Sequence, residues 1–178
     1  MDWFMRSECT HLFWIDSDIG FDPADVLRVA AYPHDFVVGA YPKKGLDLGA
    51  YAKSGKTPEA FYDYVVSFTD PLLKTEEGLL SVKVAGTGFM CWSRKVVETL
   101  VELNRQSHYR HGDNDPNMQY EVFHTGVGPN GIYFSEDYDV CKQWTDLGGQ
   151  IWLDPKVKLS HSGRFTWQGN IHEQIYGT

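Results

Sequence analysis

Two carboxylates, Asp16 and Asp18, follow the apolar run Leu12-Phe13-Trp14-Ile15 and precede the turn Gly20-Phe21-Asp22-Pro23. Carboxylates this close repel each other unless solvent or a cation separates them. A hard divalent ion that takes oxygen ligands, Mn²⁺ or Mg²⁺, resolves the repulsion. Asp-x-Asp alone is also common in solvated turns and helix caps, so the strand before it and the turn after it are what favour a site. An unbroken short apolar run predicts a strand buried on both faces, as in a parallel sheet covered by helices. Ligands of such sheets gather at the carboxyl ends of strands, where Asp16 and Asp18 fall.

Other residues carry chemistry further along. Gly86 and Gly88 flank Thr87 in Ala85-Gly86-Thr87-Gly88-Phe89; such glycines make a tight turn or let backbone approach another group closely. Glu136 and Asp137 follow Ser135 and fall in the first turn of a predicted helix, where negative charge also complements the helix dipole. Neighbours on a helix point about 100° apart, so one of the two faces a reaction centre. His161, Trp167 and His172 lie near the end of the sequence. Lys43, Lys44, Lys53 and Lys56, interleaved with Gly45, Gly49 and Gly55, read as a solvated basic loop or as contacts to phosphates. Residues 105–131 are polar and read as a functional loop. There Tyr109, His111, Asp113 and Asp115 reach either an acceptor or solvent.

The elements that must position these groups follow from periodicity and caps. A helix end is expected over 2–8 and strands over 12–15, 36–40, 61–68, 79–84, 132–134 and 150–153. Asp22 caps a helix that starts at Pro23 and stops before Pro33. Ser93 caps a helix with the stripe Val96, Val97, Leu100 and Val101. Ser135 caps another, with the stripe Val140, Cys141, Trp144 and Leu147, ended by Gly148-Gly149. The chain has 178 residues, 42% of them apolar, enough for one well-packed domain. A net charge of −8 argues against a general nucleic-acid binder. Cys9, Cys91 and Cys141 show no zinc or redox spacing and favour a reducing compartment. No run approaches the ~20 apolar residues of a membrane span, and the first residues lack a signal-peptide layout. A soluble, cytoplasmic protein is expected.

Phe-Trp-Ile-Asp-Ser-Asp at 13–18, Gly-Thr-Gly-Phe at 86–89, Ser-Glu-Asp at 135–137 and Leu-Ser-His at 159–161 occur in this order. Together they resemble the nucleotide-sugar-dependent glycosyltransferases of the GT-A fold, over residues 1–168. The resemblance implies a single α/β, Rossmann-related domain over 1–178, with a mixed, mostly parallel sheet flanked by helices. It implies a Mn²⁺- or Mg²⁺-dependent enzyme that moves a sugar from a UDP- or GDP-sugar to a glycan or other hydroxyl acceptor. By the same resemblance Asp18 binds the metal, Asp16 contacts metal or ribose, and His161 completes the metal's coordination. Ser17, Gly86, Thr87, Gly88 and Trp167 belong to the nucleotide-sugar site, and Asp137, beside Glu136, is the catalytic base of an inverting reaction. A retaining outcome stays open.

In that family the first strands of the nucleotide-binding half precede the Asp-x-Asp strand. Here the motif begins at Asp16. The chain is therefore expected to be truncated or to have a reduced donor site, with a sheet edge open to a second copy. Two rivals remain. A nucleotidyltransferase more naturally carries a glycine-rich, basic pyrophosphate loop at its start. A non-catalytic carbohydrate-binding or scaffold domain of the same descent would keep the fold without the reaction. A glycoside hydrolase needs two carboxylates about 5–10 Å apart across a sugar, and the sequence places no such pair.

Overall fold

A computed structural model describes residues 1–45, 51–53, 61–114 and 118–176. The chain begins with α1 (Asp2–Arg6), β1 (His11–Ile15), β2 (Ile19–Gly20), α2 (Pro23–Ala30) and β3 (Phe36–Val38). Next come β4 (Val66–Phe68), β5 (Leu80–Ala85), β6 (Phe89–Ser93) and α3 (Arg94–Leu103). The polar stretch after α3 holds β7 (His108–Tyr109), β8 (Gln119–Tyr120), β9 (Gly126–Val127) and β10 (Tyr133–Phe134). Then follow α4 (Glu136–Asp146), β11 (Ile151–Leu153), β12 (Leu159–Ser162), β13 (Thr166–Gly169) and α5 (Ile171–Tyr176). The expected strand over 61–68 is confined to its last three residues, and 105–131 contains short hairpin strands. Gly49, Gly55, Lys56 and Asp115 lie outside the described residues.

Six strands form the main sheet in the order β1-β6-β3-β11-β5-β4. Only β3 and β11 pair in parallel; the other four pairs are antiparallel. This overturns the expectation of a mostly parallel sheet. An apolar run records that both faces are covered, and says nothing of the direction of the neighbouring strand. β1 also departs from expectation, because it is an edge strand whose five residues are all half-buried.

Side chains alternate across the sheet with the strand period of two. Phe36, Val38, Met90 and Trp92 face one core, where α3 contributes Val96, Val97 and Leu100 and α4 contributes Val140, Cys141 and Trp144. Val37, Phe89 and Cys91 face a second core with Val29 of α2, Ile19, Val157 and Leu159. Both faces are therefore closed. The caps explain where the helices begin: Asp22 Oδ1 accepts from the Ala24 N–H at 2.8 Å, and Ser93 Oγ accepts from the Val96 N–H at 3.4 Å. Ser135 occupies the cap position of α4, but its side chain makes no capping bond.

α2 is tied to the sheet by a buried charge network. Asp154, 1% exposed, accepts from Arg28 Nε at 2.9 Å and from the Tyr32 hydroxyl at 3.2 Å. Arg28 also pairs with Asp25 at 2.6 Å. Among the described residues no helix is long and apolar enough to cross a membrane.

Candidate functional site

Backbone hydrogen bonds bring four chain segments together around one ring, that of Tyr41. The Asp16 N–H donates to Gly88 O at 3.3 Å, and the Gly39 N–H to Phe89 O at 3.0 Å. The Gly86 N–H donates to Val65 O at 3.0 Å, and the Val65 N–H to Tyr41 O at 3.3 Å. Tyr41, three residues beyond the end of β3, is 6% exposed at the centre of this closure. Its neighbours explain the two glycines. A Cβ on Gly86 would overlap the Tyr41 hydroxyl, and one on Gly88 would stand 2.6 Å from Tyr41 Cε1 and 3.1 Å from Asp16 Oδ2. Glycine here serves close approach to a ring.

Asp137 reaches the same place from the start of α4. Its Oδ1 accepts from the Thr87 hydroxyl at 3.0 Å and the Thr87 N–H at 3.3 Å. Glu136, one residue earlier, is exposed to solvent, as the helical turn angle requires of one member of the pair. Burial pushes the Asp137 carboxyl above its ordinary range, against the Thr87 hydrogen bonds, and the charges of Glu136 and Asp16 push the same way. The Tyr41 hydroxyl is raised for the same reasons: first by burial, then by the fields of Asp137, Asp16 and Asp18. These three carboxylates thus act on one phenol.

On the other flank, β12 brings His161 to Asp18. The Ser162 N–H donates to Asp18 O at 2.8 Å, and His161 Nε2 lies 3.4 Å from Asp18 Oδ2. The other ring nitrogen, Nδ1, lies 2.9 Å from Pro42 O. A carbonyl only accepts, so Nδ1 is the donor in this contact. Lys44 Nζ sits 2.6 Å from Asp18 Oδ2 and holds this carboxyl below its ordinary range, mainly through that hydrogen bond. Trp167 lies opposite His161 in the β12–β13 register.

Asp18 Oδ2 is thus approached by both Lys44 and His161, and a backbone carbonyl meets the other histidine nitrogen. Among the described residues no three His, Cys, Asp or Glu side chains are grouped closely enough to enclose a metal. A closed protein cage is therefore absent there. A Mg²⁺-like ion bound by one or two side chains, waters and phosphate oxygens needs no such cage.

Some of the residues picked from sequence are neighbours in the fold and others are not. Asp16, Gly86, Thr87, Gly88 and Asp137 line the Tyr41 side, and Asp18, His161 and Trp167 the Lys44 side. Ser17 is exposed in the turn between the two aspartates. Glu136 is exposed, and Tyr109, His111 and Asp113 lie in the exposed stretch around β7. Tyr41 was not anticipated. Its signal was an aromatic residue at the end of a buried strand, with a Gly-x-Gly elsewhere to admit it. Lys44 was read only as one of several loop lysines, because its bond to Asp18 spans 26 residues of sequence.

No protein-family model matches the sequence, and none of the curated proteins matches it. Among solved structures, the one described as A197 from STIV is similar at 16% identity with a TM-score of 0.46, covering 94% of this chain and 70% of that one.

Proposed function

We propose that this chain is a metal-dependent glycosyltransferase that moves a sugar from a nucleotide-diphospho-sugar to an acceptor hydroxyl. One observation carries the reading. Asp18 and His161 at one end, and Asp137 with the Gly86–Gly88 backbone at the other, converge on Tyr41 from segments far apart in sequence. A raised carboxyl is suited to take a proton from an acceptor hydroxyl. In that step the acceptor O–H gives its proton to Asp137 as its oxygen bonds to the anomeric carbon. The bond from that carbon to the diphosphate oxygen breaks, and the electron pair leaves with the nucleoside diphosphate. A single displacement of this kind inverts the anomeric centre.

Asp18 and His161 would hold Mn²⁺ or Mg²⁺, and that ion would neutralise charge on the departing diphosphate. Lys44 moves from Asp18 to a phosphate oxygen when the donor arrives. Asp16, Ser17 and Trp167 border the donor. Three free cysteines, two of them buried, fit a reducing, cytoplasmic setting.

A second reading, a non-catalytic carbohydrate-binding domain, draws on the Lys44 contact, because Lys44 already balances the Asp18 charge. One assay separates the two. Release of nucleoside diphosphate is measured with Mn²⁺ over UDP-, GDP- and dTDP-sugars, with Asp18→Ala as control. Turnover with one donor, abolished by Asp18→Ala and by chelation of the metal, is the expected result. Sugar binding with no turnover for any donor would favour the binding domain.

A further inference from the structure

Beside the Asp137 chamber lies a second and larger cavity. The smaller, about 200 Å³, is lined by Lys43, Tyr64, Ser135, Asp137 and Tyr138 among others. The larger, about 540 Å³, lies between the β9–β10 hairpin and the first turns of α4. Tyr138 lines both, so the two chambers meet at one side chain. The larger is lined by Pro129, Ile132, Phe134 and Tyr138, together with the polar Asn130, Asp139 and Lys142.

The two charged residues there are already engaged. His124 Nδ1 lies 2.9 Å from Asp139 Oδ2, and Lys142 pairs with Asp146 one helical turn on. Asn130 Oδ1 already accepts from the Ile132 N–H at 3.2 Å, so what remains to meet a ligand is mainly apolar, and much of it stands in water. Ile132 is 64% exposed and Tyr138 53%. A concave apolar surface of this volume, next to a few placed polar groups, is the usual form of a small-molecule site.

We infer that this cavity receives an apolar aglycone, an alkyl or aryl group attached to the acceptor sugar, while the sugar's hydroxyl enters the smaller chamber toward Asp137. The inference rests on the proposed transfer reaction for the role of Asp137, and on the cavity alone for the aglycone. A free polar glycan would leave the Ile132 and Phe134 surface wet. An alkyl or aryl group covers it, and the gain grows with each methylene buried.

The test is ligand-observed NMR titration of the full chain with hexyl β-D-glucopyranoside and methyl β-D-glucopyranoside, below the micelle concentration of the former. Hexyl glycoside binding tighter than methyl by about tenfold or more is expected from the added methylenes. Ile132→Asp, at an exposed position that leaves the fold in place, and Phe134→Ala each erase that preference. Asp137→Asn keeps it. Equal affinity for the two glycosides, or a preference untouched by Ile132→Asp, would overturn the inference. The two failures are separable. Preference without turnover of any donor sinks the transferase and keeps the aglycone site; turnover with methyl and hexyl acceptors alike does the reverse.

Discussion

As the base of the proposed reaction Asp137 would have to be charged, yet its surroundings disfavour the charge. Burial raises its folded-state pKa above the ordinary 3.8, and Glu136 and Asp16 add to this. For an acid raised by folding, the protonated form is the one the fold favours. Its stabilising contribution is complete below pH 3.8 and is lost as pH rises through the folded value. At neutral pH the carboxylate is therefore a cost to stability. Asparagine in its place keeps an oxygen that accepts from Thr87 and carries no charge. Asp137→Asn should melt at a higher temperature than wild type at neutral pH, and the difference should vanish in acid below pH 3.8. The same variant should lose turnover by about 10²–10⁴-fold, the range for a positioned general base. A variant less stable than wild type at neutral pH would contradict the buried-charge account, and one with full turnover would remove Asp137 from the reaction.

The Gly86–Gly88 connection between β5 and β6 works as an element because Tyr41 fills the space its missing side chains leave. On Gly86, a Cβ would meet the Tyr41 hydroxyl, Tyr41 Cζ at 2.7 Å and Val65 Cγ1 at 2.9 Å. None of these can swing away freely, so Gly86→Ala should destabilise by about 1–3 kcal/mol, the usual cost of overpacking. Tyr41→Phe removes the nearest atom, so the double variant should be more stable than the sum of the two single changes predicts, as measured by a urea double-mutant cycle. Strict additivity would mean that the ring does not set the loop. A second joint is the Asp154 network holding α2. Arg28 keeps 36% of its side chain exposed, so Asp154→Asn should cost about 3 kcal/mol, the low end for breaking a buried pair; a loss within 0.5 kcal/mol, the usual range of a surface change, would count against the joint. Of these features the sequence showed some and hid others. The caps at Asp22 and Ser93 and the stripe of α3 were legible because they are encoded within a few residues. So was the meeting of carboxylates with a strand end. Strand direction was not, since β3 and β11 lie more than a hundred residues apart yet pair in parallel. Nor was Tyr41, whose role depends on a loop 45 positions further along, at Gly86.

At the scale of the whole molecule, the sheet is closed on both faces and, among the described residues, β1 and β4 are its edge strands. Among the described residues β6 is the only strand that pairs with β1, through five residues from His11 to Ile15. Unpaired strand edges are templates for a second chain. Here the usual protective devices are sparse, for β1 carries no proline, lysine or arginine. What opposes pairing is charge, because two copies at −8 each repel. That repulsion is screened by salt: the Debye length falls from about 8 Å at physiological ionic strength to about 3 Å at 1 M. Backbone pairing between edges is far less sensitive. Self-association should therefore be weak at physiological salt and stronger at ~1 M salt, seen in sedimentation velocity as a concentration-dependent dimer. Lysine at His11, a β1 residue outside both apolar clusters, adds a charge to the edge and should return the high-salt sample to monomer. A chain that stays monomeric in both salts, at every concentration reached, would show that β1 is protected by something other than charge; a dimer that persists with His11→Lys would place the contact on another surface.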